Sequence, residues 1–118
     1  MPKPRIALIL AFSLLASTAW AHPKLLSASP APNAQVASPA QIRIAFSEPV
    51  FARFSGVVLK DHQGRAVATG SPALDPADKT VLVVPVKGAL VAGMYHVTWH
   101  AVAADTHRVQ GEFMFAVK

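Results

Sequence analysis

The sequence contains no cysteine among its 118 residues, which excludes a disulfide framework and any metal site built on thiolates. Charged residues make up only 14% of the chain, and the Lys and Arg residues form no block and do not alternate with aromatic residues. This scatter is not the pattern of a nucleic-acid-binding surface. We therefore expect no nucleic-acid partner, and we expect a domain that depends on an apolar core for its stability.

A long apolar run is also absent. The apolar stretch near the N-terminus, Ile6 to Leu15, has ten residues, whereas a helix that spans a bilayer needs roughly 20. Two basic residues precede the stretch and an Ala-x-Ala sequence at 19–21 follows it, which is the order found in secretory signal peptides. We predict a signal peptide at residues 1–21 and a single mature domain at residues 22–118, located in the periplasm.

What the sequence does contain is a series of short stretches in which apolar and polar residues alternate, which is typical of half-buried strands. The clearest run from Gln41 to Phe46 and from Tyr95 to His100. The other predicted strands are Lys24 to Ser29, Gly56 to Lys60, Arg65 to Thr69, Val81 to Val86 and Gly111 to Val117. About seven short strands in one domain predict an all-β, immunoglobulin-like fold, a Greek-key β-sandwich or barrel. We also predict a loop at 70–79 and burial of Val81 to Val86 on both faces, because that run is continuously apolar.

Two candidate metal ligands lie just after the strand that contains Trp99. Asp105 and His107 are two residues apart, so their side chains point to the same side if the chain is extended there. A carboxylate oxygen beside an imidazole nitrogen suits a divalent transition metal such as copper or zinc. The alternative is an ordinary turn in which Asp105 accepts backbone hydrogen bonds.

His22 offers two more nitrogens if signal cleavage makes it the first residue. Its free amine and ring Nδ1 can close a chelate ring on one ion, while Pro23 has no N–H for Cu(II) to displace. With Asp105 and His107 this gives a tetragonal set of nitrogen and oxygen donors, which favours Cu(II) over Cu(I). The alternative for His22 is a solvated chain terminus.

The other three histidines have simpler interpretations. His62 lies in a polar turn and is expected to be solvated. His96 and His100 alternate with Trp99, so we expect them at the outer surface of the sheet. His100 is the nearest of them in sequence to Asp105, and it is a candidate to support the metal site by orienting that carboxylate.

Five segments taken together resemble the CopC family of periplasmic copper-binding proteins. The resemblance extends over essentially all of the mature chain, and the segments that carry it are His22-Pro23-Lys24-Leu25, Phe46-Ser47-Glu48-Pro49-Val50, Asp78-Lys79-Thr80, Gly93-Met94-Tyr95-His96-Val97-Thr98-Trp99-His100 and Ala104-Asp105-Thr106-His107. The resemblance implies a small Greek-key domain that binds one Cu(II) per mature chain through His22, Asp105 and His107. Some members place a glutamate near the metal, and Glu48 matches that position.

The resemblance also implies a role in copper buffering, resistance or delivery, with an inner-membrane copper transporter of the CopD type as partner. We expect the protein to be monomeric. Some family members carry a methionine-rich loop that binds Cu(I), but this chain has only Met94 and Met114 besides Met1. We predict Met94 in a turn and Met114 on a strand surface, without a methionine cluster. The chain therefore resembles the members that have a Cu(II) site alone.

Two other functions compete with copper binding and delivery. A copper-dependent monooxygenase also uses an N-terminal histidine and a second histidine, but Asp105 would fill a position that oxygen needs, and the sequence shows no aromatic platform for a polysaccharide. A structural immunoglobulin-like module without a metal would leave the coincidence of His22 with the cleavage site unexplained. We therefore expect a binding protein and not an enzyme.

Overall fold

Strands dominate the computed structural model, which describes residues 2–3 and 22–118. The predicted signal peptide lies outside the described residues, except for residues 2–3. The strands are β1 Leu25–Ser29, β2 Gln35–Val36, β3 Gln41–Phe46, β4 Gly56–Asp61, β5 Ala66–Val67, β6 Ala73–Asp75, β7 Asp78–Pro85, β8 Gly93–Val102 and β9 Arg108–Val117, with one 3₁₀ helix at Ala52–Phe54. No helix in the described part of the chain is both long and apolar enough to cross a membrane.

The strands form two sheets that pack face to face. One has the order β1-β3-β7-β6 and the other the order β2-β9-β8-β4-β5. All neighbours pair antiparallel except β2 and β9, which are parallel. The prediction of an all-β sandwich is confirmed.

The core lies between the sheets and is built from alternate residues of the longer strands. Ile42, Ile44 and Phe46 of β3 are buried, as are the residues of β8 at the same spacing. The ring of Trp99 meets Phe46 of the opposite sheet edge to face, with 5.4 Å between centroids. The alternation seen in the sequence therefore identified the inward faces of both strands.

Several boundaries differ from the prediction. The predicted loop at 70–79 contains β6 and the beginning of β7, and this pairing is reinforced by Arg43 Nη2, which donates to Asp75 Oδ2 at 2.6 Å. β9 begins at Arg108 instead of Gly111, and β2 was not predicted. The prediction that β7 is buried on both faces is wrong, because Leu82 and Val84 are buried whereas Val81 and Val83 are only half-buried.

The hairpin of β8 and β9 determines where the candidate ligands lie. Its register runs without interruption from the pair Gly93 and Val117 to the pair Val102 and Arg108. Met94 therefore belongs to a strand, and its predicted place in a turn is wrong. The connection at 103–107 closes the hairpin at one end of the sandwich, and it contains Asp105 and His107.

Candidate metal centre

A tight turn brings Asp105 and His107 together. Thr106 N–H donates to the Ala103 carbonyl at 2.9 Å, and Asp105 Oδ1 accepts from His107 N–H at 3.1 Å. Thr106 has a φ of 65°, a left-handed conformation that is strained for a β-branched residue. The two side chains thus meet because the chain turns, and the explanation from an extended strand is wrong, since β8 ends at Val102.

The segment before β1 brings His22 to this turn. Lys24 N–H donates to Ser47 Oγ at 2.8 Å, and Ser47 N–H donates to the Lys24 carbonyl at 2.8 Å. Pro23, which joins His22 to Lys24 in the sequence, is buried. These contacts hold the segment against the end of β3, so that His22 extends towards Asp105.

One carboxylate oxygen lies between the two imidazoles. Asp105 Oδ2 is 3.1 Å from His22 Nδ1 and 3.5 Å from His107 Nδ1. The centroids of the two rings are 5.2 Å apart. Each of the three residues offers a donor atom, and these atoms lie within 4.8 Å of one another. Oxygen and nitrogen bind such ions at ~2.0–2.2 Å, so sharing one ion requires the exposed rings of His22 and His107 to turn towards it.

The burial of these side chains differs in a way that favours a cation. The Asp105 side chain is 8% exposed, against 53% for His22 and 70% for His107. Asp105 Oδ2 is buried and has no hydrogen-bond partner among the described residues, since the ring nitrogens approach it without hydrogen-bond geometry. A buried carboxylate oxygen without such a partner is costly. A metal ion held by this oxygen and the two imidazoles would remove that cost.

The two further candidates lie outside this group. Glu48 is half-buried next to Ser47 and is not among the three residues whose donor atoms converge. The ring of His100 lies over Gly56 of β4, with Cε1 3.1 Å from the position that a Cβ there would take. Within the described residues His100 makes no hydrogen bond to Asp105, whose carboxylate accepts one bond, from His107 N–H.

His100 differs electrostatically from the histidines at the centre. Burial lowers the pKa of His100, and the charge of Arg108 lowers it further. Both effects favour the neutral ring. His62 and His96 are exposed, as predicted from the sequence.

A shallow apolar groove adjoins the turn. Phe51 and Phe54 are 44% and 54% exposed, and they border a cavity of about 470 Å³ that Val102, Thr106 and Arg108 also line. Thr106 thus lies both in the turn and in the groove. The sequence analysis missed this surface and the role of Ser47, because neither exposure nor a contact between distant residues follows from local pattern.

Two exposed imidazoles beside a carboxylate oxygen without a hydrogen-bond partner in the described part of the chain are the donor set expected of a small metal-binding β-sandwich protein. The CopC domain family matches residues 25–118, and the chain belongs to this family of copper-binding resistance proteins. Copper resistance protein C of Pseudomonas syringae pv. tomato is 40% identical over an alignment of 121 residues, gaps included, which covers 96% of this chain and 94% of that protein.

Two further comparisons support this assignment. The crystal structure of PcoC, a methionine-rich copper resistance protein from Escherichia coli, matches with a TM-score of 0.76 at 38% identity, over 83% of this chain and 100% of that one. Copper transport protein CutJ of Bacillus subtilis (strain 168) is 32% identical over 113 residues, which are 95% of this chain but 21% of CutJ. The family members are binding proteins and not enzymes, so the monooxygenase alternative is not supported.

Proposed function

We propose that the mature protein is a periplasmic Cu(II)-binding protein that buffers copper and delivers it, with one Cu(II) per chain held by His22, Asp105 and His107. The observation that carries the proposal is the buried Oδ2 atom of Asp105, which accepts no hydrogen bond from residues 2–3 or 22–118 and lies 3.1 Å and 3.5 Å from the two imidazole nitrogens. Two nitrogens and a carboxylate oxygen suit Cu(II) better than Cu(I), which prefers thioether and thiolate sulfur.

The free amine of His22 completes the proposed set. Cleavage after Ala21 would give a ligand that binds through its amine and its ring, and the contacts of Lys24 with Ser47 already hold this segment at the turn. The two exposed imidazoles leave the ion open to solvent on one side, which suits a protein that must release its copper. Glu48 and water are the candidates for a further oxygen ligand, and His100 for indirect support.

The test compares protein that begins at His22 with protein that carries one added glycine before it. The glycine converts the amine into an amide, so Cu(II) affinity should fall sharply while the circular dichroism of the metal-free forms stays the same. Electron paramagnetic resonance of the protein with one equivalent of Cu(II) should show coupling to three nitrogens. Equal affinity of the two proteins would remove the amine from the ligand set.

We also propose that the receiving protein is a copper transporter of the CopD type in the inner membrane. CutJ supports this, because the region that matches our chain makes up 21% of a protein named for copper transport. The groove of Phe51 and Phe54 is suited to the contact, since Thr106 connects it to the turn that holds two ligands.

The partner can be tested by copper transfer from the loaded protein to membrane vesicles that contain such a transporter. Phe54→Ser should slow transfer without changing Cu(II) affinity, because Phe54 lines the groove but offers no ligand. Val91→Ser is the matched control, since Val91 is 77% exposed and lies before β8, at the opposite end of that strand from the turn. Equal transfer rates for the two variants would rule out the groove as the contact.

A further inference from the structure

The outer face of β8 and β9 carries a second set of metal donors. Met94 and His96 are two residues apart in β8, so their side chains share a face. Met114 of β9 is the direct antiparallel partner of His96. All three side chains are exposed. From the sequence we expected no methionine cluster and Met94 in a turn, whereas Met94 belongs to β8, and the pairing of β8 with β9 places both methionines on one face.

The strand geometry allows these side chains to reach one ion. Side chains directly opposite in an antiparallel pair have their Cβ atoms roughly 4.5–5.5 Å apart, which applies to His96 and Met114. Residues two apart in one strand are about 6.5–7 Å apart, and the three rotatable bonds of methionine can cover this distance. Ala116 is the partner of Met94, and its small side chain leaves room for Met94 to lean towards Met114.

The surroundings also suit a cation. His96 and Met114 line a cavity of about 430 Å³ together with Glu112, Asn33 and other residues of this end of the sheet. Glu112 contributes a carboxylate one pair further along the hairpin, opposite Thr98. The nearest basic residue in the register is Lys60, which faces His96 from β4. Lys60 is exposed, so its ammonium group is free to extend into solvent.

We propose that Met94, His96 and Met114 form a second metal site that binds one soft monovalent cation, Cu(I) or its analogue Ag(I). Two thioether sulfurs and an imidazole nitrogen are soft donors that select Cu(I) over the harder divalent ions. The six residues that follow His96 in β8 span roughly 20 Å, and the turn with Asp105 lies beyond the end of that strand. The two sites therefore share no ligand, and this inference is independent of the Cu(II) site.

The test uses Ag(I), which does not change oxidation state, and follows the ε-methyl signals of Met94 and Met114 by NMR. Both signals should shift together and saturate near one equivalent. Loss of a residue that only supports a metal ligand weakens binding by ~10–100-fold. His96→Gln and Met114→Leu each remove a direct ligand, so each should weaken Ag(I) binding by at least that factor. Since these residues are exposed, both variants should keep the circular dichroism of the parent.

Two controls separate this site from its surroundings. Thr98→Val alters the same outer face without removing a soft donor, and Asp105→Asn alters the proposed Cu(II) site; neither should change the Ag(I) affinity. The proposal is overturned if His96→Gln binds Ag(I) as tightly as the parent, if only one methionine signal shifts, or if Asp105→Asn abolishes the response.

Discussion

The two carboxylate oxygens of Asp105 have different surroundings. One carboxylate oxygen accepts the backbone hydrogen bond from His107 that shapes the turn, whereas the other is buried without a hydrogen-bond partner among the described residues. The hydrogen bond serves the local fold, and the burial of the other oxygen carries a cost in the metal-free protein.

Asp105→Asn tests this division of roles. Asparagine keeps an oxygen for His107 N–H but removes the buried charge. The unfolding free energy of the metal-free variant should therefore equal that of the parent or exceed it by about 1 kcal/mol. Cu(II) at a free concentration of 100 times the Kd of the parent should stabilise the parent by about 2.7 kcal/mol. The same concentration of Cu(II) should not stabilise Asp105→Asn. Urea unfolding with and without Cu(II) measures both effects.

Asp61→Asn is the matched control, because Asp61 also accepts backbone hydrogen bonds in a turn, from Gln63 and Arg65. It should leave the effect of Cu(II) unchanged. A variant at Asp105 that is as strongly stabilised by Cu(II) as the parent would show that its carboxylate is not a ligand.

The sequence identified His22, Asp105 and His107, whose donor atoms converge, but it did not show why they converge. The spacing of Asp105 and His107 suggested a strand, whereas a turn with Thr106 at a φ of 65° joins them. Nothing local in a sequence marks a threonine for that conformation, which favours glycine. The contact of Lys24 with Ser47 spans 23 residues, and a long-range contact of this kind is not visible in local periodicity.

The segment before β1 acts as an element of the site, although it has no regular structure. Ser47→Ala removes the acceptor for Lys24 N–H, which lies 2.8 Å from Ser47 Oγ. We expect a loss of about 0.5–1.5 kcal/mol in unfolding free energy. We also expect weaker Cu(II) binding, because His22 is then held less firmly near Asp105.

Ser38→Ala provides the comparison, since Ser38 Oγ accepts from Leu90 N–H at 2.7 Å in another exposed loop contact. It should cost similar stability and leave the Cu(II) affinity unchanged. Equal Cu(II) affinities for the two variants would mean that the Ser47 contact does not position His22.

The β8 and β9 hairpin tolerates little change where Trp99 meets its partner strand. A Cβ on Gly111 would lie 2.6 Å from Trp99 Cζ2 and 2.9 Å from Cε2. The indole is buried and packs against Phe46, so it has little freedom to move away. Gly111→Ala should therefore lower the unfolding free energy by about 1–3 kcal/mol.

The neighbouring exposed residue gives the control for this prediction. Gln110→Ala should change stability by less than about 0.5 kcal/mol, as surface substitutions usually do. Chemical denaturation monitored by tryptophan fluorescence measures both variants. A Gly111→Ala protein as stable as the parent would show that the sheet can shift to accept the methyl group.

Strands of different length were predictable to different degrees. β3 and the stretch of β8 from Tyr95 to His100 contain enough residues to show the period of two, so their inward faces could be predicted from the sequence. β2 has two residues and β6 has three, too few for any period. β6 also lies in a stretch rich in Pro, Asp and Gly, and it is ordered by tertiary contacts such as that between Arg43 and Asp75. Pairing partners decide such short strands, and local composition does not.

At the scale of the whole molecule, the β8 and β9 hairpin carries both proposed sites. The turn at one end holds Asp105 and His107, while Met94 and Met114 lie towards the other end. The core between the sheets does not include any of these ligands. The fold is therefore expected to form without a metal, and metal binding adds to a stability that the core already provides.

The metal-free protein should lose stability on acidification in two stages. Burial lowers the pKa of His100 from the usual 6.5, with a further contribution from Arg108. Below pH 6.5 the unfolded chain therefore binds more protons at His100 than the folded chain does. The contribution of His100 to the unfolding free energy is fully present above about pH 6.5, and it decreases as the pH falls from there through the lowered pKa.

The second stage belongs to the carboxylates. The hydrogen bond from Arg43 lowers the pKa of Asp75 from 3.8, and the hydroxyl of Thr80 does the same for Asp78. Their contribution is present above about pH 3.8 and is lost as the pH falls further through the lowered values. Urea unfolding from pH 8 to about pH 2 in the presence of a chelator should therefore show one decrease in unfolding free energy below about pH 6.5 and a further decrease below about pH 3.8.

His100→Gln separates the two stages, because glutamine does not titrate. The variant should lose part of the decrease below about pH 6.5 and keep the decrease below about pH 3.8, whereas Asp75→Asn should do the reverse. His62→Gln is the control for the first stage, since His62 is exposed in the turn after β4 and should leave both stages as they are. If His100→Gln retains the full decrease below about pH 6.5, the acid sensitivity comes from other groups, and the half-buried position of His100 over Gly56 does not govern it.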